Sequence, residues 1–221
     1  MLSYALHLID TLFDCFSINH QVLILDPRFN ARHTQDMPVV YRMSNYQLAE
    51  EMSWGFIPFW NKNRQIGERI ATTKAETVMA IPIFKEAIMK RRCLIPATGF
   101  YEWARPDGRT QPYFIHLKNE PVFGFAGLYD SFTGKDGTER KLFTVLTTQA
   151  NELIWPISER MPVIMQRRAE NRWLDESLDP TALLSLLTAY PTSEMAMYPV
   201  SREVNNPRND TEACLRPVVQ M

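Results

Sequence analysis

Cysteine is scarce and scattered in this sequence. The 221 residues contain three, Cys15, Cys93 and Cys214. An odd number without any Cys-x-x-Cys pairing speaks against both a disulfide framework and a zinc site. No long uncharged apolar run is available to span a bilayer, and the first residues lack the basic start and apolar run of a signal peptide. These absences predict a chain of a reducing, cytoplasmic compartment with no membrane partner, no metal and no cofactor. Net charge is nearly missing too, at −1, which leaves a nucleic-acid partner open because a neutral protein can still carry a basic face. Internal repeats and low-complexity segments are absent.

What is present is apolar. Hydrophobic residues make up 45% and charged residues 22%, enough for a chain of this length to bury a core without staples. No shift in composition marks a seam, so residues 1–221 are expected to form one domain. Asp10 is expected to cap a short helix through Leu12, Phe13 and Phe16. Val22 to Leu25 reads as a buried strand closed by Asp26-Pro27, and Met37 to Tyr41 as extended. Pro82 opens a helix at the position where its missing donor costs little, with Ile83, Phe84, Ala87 and Ile88 as the inner stripe and Lys90, Arg91 and Arg92 at the cation-favouring end. Pro112–Lys118 and Pro121–Tyr129 read as strands joined by an Asn119-Glu120 turn, followed by a third strand from Lys141 to Thr147. Helices are expected at Arg167–Leu174 and at Pro180–Leu187, the second capped by Asp179. Strands that meander, with helices between them and no βαβ regularity, make the class α+β: an antiparallel sheet or partial β-barrel with flanking helices.

Two stretches stand out chemically. Trp54-Gly55-Phe56-Ile57-Pro58-Phe59-Trp60 places large aromatics on a segment that Gly and Pro keep irregular, either as a lid on the core or as a platform for stacking bases. Lys62 and Arg64 follow it, with Arg69 nearby; Arg167 and Arg168 form a further basic pair. A solvated loop or helix end accounts for each cluster singly. The other stretch, Leu94 to Trp103, holds Glu102 between Tyr101 and Trp103. That carboxylate is either on the wet face of a half-buried strand or held in an apolar pocket for acid–base work.

Seven motifs in order are similar to those of the SRAP-domain, or abasic-site processing, family: Arg28-Phe29-Asn30, Trp54 to Pro58, Lys74-Ala75-Glu76-Thr77, Arg92 to Pro96, Gly99 to Trp103, Glu159-Arg160-Met161-Pro162 and Val204-Asn205-Asn206-Pro207. The resemblance spans nearly the whole chain. It implies a protein of the SOS and DNA damage response that binds single-stranded DNA and acts on an abasic site, with DNA–protein cross-linking, lyase or hydrolase activity. In that chemistry a mature N-terminal cysteine attacks the ring-opened aldehyde, its amine forming a Schiff base and its thiol closing a thiazolidine. An α-amine is partly neutral near pH 7.7–8.0 and hence nucleophilic.

By the same resemblance the catalytic Asn falls on Asn30 and the catalytic Glu on Glu102, and the DNA-contacting positions on Trp60, Trp54, Lys74, Thr147 and Arg160. Lys74 stands where the family has Arg, with Thr72 and Thr73 before it where the family has Asn and Ala. Two catalytic positions depart. The register of the cysteine falls on Met1, followed by Leu2 and Ser3, and that of the histidine on Ser158. The expectation is a divergent member that keeps the groove and lacks the stable cross-link. Two other readings stand beside it: a weak Schiff-base lyase using the Met1 α-amine with Glu102, and a binding module without nucleic acid. Oligomeric state is not legible. Thr72, Thr73 and Lys74 are expected on a solvated loop.

Overall fold

In a computed structural model the chain is described over residues 2–18, 20–21, 26–44, 46–57, 70–105, 108, 110–133 and 137–218. The expectations placed on Met1, Val22 to Leu25, Trp60, Lys62, Arg64 and Arg69 lie outside these residues.

Alternating and doubly buried apolar runs produce a chain dominated by strands. In order they are β1 (Ser3–Leu6), β2 (His20–Gln21), β3 (Arg28–Ala31), β4 (Asp36–Met43), β5 (Tyr46–Trp54), β6 (Thr72–Lys74) and β7 (Arg92–Ala97). The second half adds β8 (Gly99–Ala104), β9 (Gln111–Leu117), β10 (Phe123–Thr133), β11 (Glu139–Gln149), β12 (Arg160–Pro162), β13 (Ile164–Met165) and β14 (Met195–Pro199). The helices are α1 (Leu12–Cys15), α2 (Pro82–Lys90), α3 (Arg167–Trp173) and α4 (Pro180–Ser185). No helix among the described residues is long and apolar enough to cross a membrane.

One sheet runs β14-β9-β8-β1-β3. The other runs β11-β10-β7-β4-β5 through antiparallel neighbours and then closes on itself, because β5 pairs in parallel with β11 at Leu142↔Ser53 and Phe143↔Trp54. The expected partial barrel is therefore a closed ring of five strands, a solution that removes exposed edges. The main core fills the space shared by barrel and second sheet, with Trp54, Phe100, Phe123, Phe125 and Phe143 wholly buried. A smaller cluster of Ala5, Tyr101, Phe114, Val200, Val204 and Cys214 sits under the C-terminal segment.

The helices follow their sequence signals closely. Pro82 is at the start of α2 and Ile83, Phe84, Ala87 and Ile88 are buried. Asp179 Oδ1 accepts from the Thr181 and Ala182 N–H groups at 2.9 and 3.1 Å, capping α4. Three expectations need correction. Thr11, not Asp10, precedes α1, and it supplies no side-chain cap. Arg92 is no solvated helix end: it is buried in β7 and donates to the carbonyls of Ile88, Trp173 and Asp175, which satisfies its charge where water cannot reach. Finally, the strands on either side of Asn119-Glu120 do not pair. β9 lies between β8 and β14, whereas β10 lies between β7 and β11, so the turn carries the chain from one sheet to the other.

Candidate active site

β7 and β8 are one extended run that changes sheet at Thr98. There the Thr98 N–H and hydroxyl both donate to the Ala5 carbonyl, at 2.8 and 3.0 Å. Past the corner, β8 is covered on both faces: Phe100 packs in the main core and Tyr101 in the smaller cluster. Because alternate residues share a face, Glu102 emerges on the Phe100 side, while Tyr101 and Trp103 turn the other way. Their polar ends donate to the Phe29 carbonyl and to Asn205 Oδ1, each at 2.7 Å.

Glu102 is therefore on the wall of a cavity of about 340 Å³, lined by Leu2, Thr72, Lys74, Glu102, Thr147, Ser158, Arg160, Met161 and Pro162. Ladders position these residues. β6 runs parallel to β11 with Lys74 opposite Thr147, and β12 lies antiparallel to it with Pro162 opposite Thr147 and Arg160 opposite Gln149. Ser158 enters from the turn before β12, and its hydroxyl donates to the Arg160 carbonyl at 2.8 Å. Burial pushes the Glu102 carboxyl up from its ordinary range, offset in part by the positive charge of the chain's amino terminus and, less, by hydrogen bonding from Ser158 and the Trp103 N–H. The result is a carboxyl that holds its proton more readily than an exposed one, as a general acid requires.

The two cations on the wall differ. Arg160 grips Glu76 with both arms at 2.8 Å and also donates to the Thr147 carbonyl at 2.6 Å; this fork holds the Glu76 carboxyl below its usual range. Lys74 is exposed and makes no ion pair or side-chain hydrogen bond among the described residues. No group of three or more His, Cys, Asp or Glu side chains among those residues is arranged to hold a metal.

Of the residues singled out from the sequence, Glu102, Lys74, Thr147, Ser158 and Arg160 meet in this cavity. Asn30 does not line it. Wholly buried, it accepts from Ser3 Oγ at 2.7 Å, and its amide donates to the carbonyls of Val204, Asn206 and Asn209 at 3.1, 3.3 and 2.9 Å. Its hydrogen-bonding capacity is spent on tying the C-terminal segment to β3. Trp54 is also wholly buried, packed on Tyr4 and Phe143 with its Nε1–H donated to the Ala71 carbonyl at 2.8 Å. Its ring is part of the core, as in the core-lid reading. Thr72, Thr73 and Lys74 form strand β6, not a solvated loop. Thr72 lines the cavity wall, while Thr73 turns inward to Thr144.

Sequence reasoning missed Glu76 as the partner that orients Arg160, although it lies inside a quoted motif. It also missed Trp155. That indole is 56% exposed in the turn leading to Ser158, an exposure that the residue order does not announce.

Residues 5–207 match the family described as SOS response associated peptidase (SRAP). The chain is 37% identical over 187 residues to the abasic site processing protein YoqW of Bacillus subtilis (strain 168), covering 84% of each. It is 31% identical over 199 residues to the abasic site processing protein HMCES of Gallus gallus, covering 79% of this chain and 59% of that one. A crystal structure of a protein from Bacteroides thetaiotaomicron superposes with a TM-score of 0.81 at 30% identity, covering 89% of this chain and 88% of the other. With family match, relatives and solved fold in agreement, the chain belongs to the SRAP family.

Proposed function

We propose that this chain recognises abasic sites in single-stranded DNA at the cavity around Glu102, and that it does so without closing a thiazolidine cross-link. The observation that carries the reading is convergence: Thr72, Lys74, Glu102, Thr147, Ser158 and Arg160, drawn from separate stretches of the chain, line one cavity. The exposed Lys74 ammonium suits a phosphate, a half-buried carboxyl suits proton transfer at an aldehyde, and Trp155 offers an exposed ring for stacking a flanking base. Relatives named as abasic site processing proteins supply the substrate class.

The thiazolidine needs an amine and a thiol on neighbouring carbons, which only an N-terminal cysteine provides. Cys93 and Cys214 are wholly buried, Cys15 is half-buried, and none lines the cavity. Burial pushes the Cys93 and Cys214 thiols up, away from the reactive thiolate. Ser158 brings a hydroxyl where the resemblance implies an imidazole, and a hydroxyl has no ionisation near neutral pH with which to act as acid or base.

The test uses a short single-stranded oligonucleotide with and without one abasic site. Fluorescence anisotropy is expected to show preference for the abasic strand and affinity that falls with salt. Intact mass after heating is expected to show no adduct. A heat-stable adduct through the N-terminus overturns the second half of the proposal. Absence of salt-dependent binding overturns the first and favours a binding module without nucleic acid.

A further inference from the structure

Among the described residues, Lys74 brings the one side-chain amine on the cavity wall. Lys74 sits on the wall at the end of β6, its backbone fixed by the parallel ladder to β11 opposite Thr147. Alternation along β6 puts Thr72 and Lys74 on the cavity side and turns Thr73 into the core, where its hydroxyl meets Thr144 Oγ1 at 3.3 Å. The other cation, Arg160, is neutralised by the Glu76 fork. Lys74 has no such partner among the described residues, and no ion pair joins it to Glu102. Amine and carboxyl thus line one cavity from different sheets without cancelling one another. That combination, an unpaired lysine and a half-buried carboxyl on the wall of one cavity, is what Schiff-base chemistry with a carbonyl substrate uses.

Resting on the reading that the substrate is an abasic site, we propose that Lys74 Nζ forms a Schiff base with its ring-opened aldehyde and that Glu102 moves the protons of a strand-cleaving β-elimination. The neutral amine adds to the aldehyde carbon; the N–C bond forms as the carbonyl π pair moves to oxygen. That oxygen gains the proton that nitrogen loses, relayed by Glu102, giving a carbinolamine. Proton donation from Glu102 then releases the hydroxyl as water and leaves an iminium ion and a Glu102 carboxylate. The carboxylate removes a proton from the carbon next to the iminium. The electron pair so released expels the 3′ phosphate from the following carbon, and that C–O bond breaks. Water hydrolyses the remaining imine, returning the lysine amine and an unsaturated aldehyde on the 5′ fragment. Nothing is oxidised or reduced, and water is the only co-reactant.

The experiment incubates the full chain with an abasic single-stranded oligonucleotide in the presence of borohydride, then maps the trapped adduct by peptide mass spectrometry. The adduct is expected on the peptide carrying Lys74. Lys74→Arg keeps the charge but has no nucleophilic amine, so trapped product is expected to fall on the order of tenfold or more while binding remains measurable by anisotropy. Glu102→Gln is expected to slow strand cleavage by about 100-fold. An adduct on the chain's α-amine, or an unchanged yield in Lys74→Arg, overturns the lysine. Binding without any trapped adduct also overturns it and leaves the binding reading standing, whereas loss of abasic-strand binding in the unaltered protein sinks both.

Discussion

Removing the Glu102 carboxyl from water disfavours its charged form, and this links the cavity to stability as well as to chemistry. Its folded pKa lies above the unfolded value, so between the two the native state binds more protons than the unfolded chain. Stability contributed by this group is therefore full below about pH 4, near the ordinary glutamate value, and declines as pH rises through the folded pKa. Glu102→Gln should melt at a higher temperature than the parent at pH 7.5, with the gain shrinking toward pH 4; thermal scans at the two pH values check this. A gain in stability with a loss of strand processing is the trade expected at a functional site. Asn30 is the opposite case, since its amide serves the fold. Asn30→Ala takes the amide donor from the Asn206 and Asn209 carbonyls, while Val204 keeps its bond from Arg32 at 2.6 Å, and should cost about 2 kcal/mol in urea unfolding, with abasic-strand affinity of the folded protein little changed. Glu102 was legible from the family motifs around it, its aromatic neighbours alone leaving a wet strand face equally open. The use of Asn30 was not, because its carbonyl partners lie 174, 176 and 179 residues downstream and no local pattern announces a contact of that range.

At the scale of elements, the corner between β7 and β8 decides where Glu102 points. Gly99 sits just past it, and a Cβ there would lie 2.2 Å from Phe114 Cζ and 2.7 Å from the Ile115 carbonyl oxygen. The ring can turn away, but the carbonyl belongs to the β8–β9 ladder and cannot. Gly99→Ala should therefore destabilise by about 2 kcal/mol through overpacking, read from the shift in denaturant midpoint. Combining it with Phe114→Leu should recover only part of the loss, because the backbone clash persists. Helices α2 and α4 were readable, their starts being set by proline and, for α4, a capping aspartate within a few residues. Strand pairing was not. The runs flanking Asn119-Glu120 have hairpin composition, yet β9 and β10 find partners in different sheets, a choice made by how much apolar surface each face can bury and not by the turn.

At the scale of the molecule, a net charge of −1 leaves nucleic-acid affinity to a few local cations, and one of these is occupied. Arg160 is held by Glu76. Glu76→Gln should release it toward a phosphate, tightening binding to single-stranded DNA and steepening the salt dependence by about 0.7 in log K against log salt for one added contact. Anisotropy titrations across a salt series check both. Unchanged affinity would place Arg160 outside the DNA path. By itself the sequence determined the class of fold, the helices and the family resemblance, because these depend on composition, short-range periodicity and the order of motifs. Only the tertiary structure decided that the barrel closes through a parallel β5–β11 pair, that Trp54 and Asn30 are committed to packing and to the C-terminal clamp, and that Lys74 and Glu102 share a cavity. Each of these depends on which distant surfaces bury one another, and that competition has no signature within any single stretch of chain.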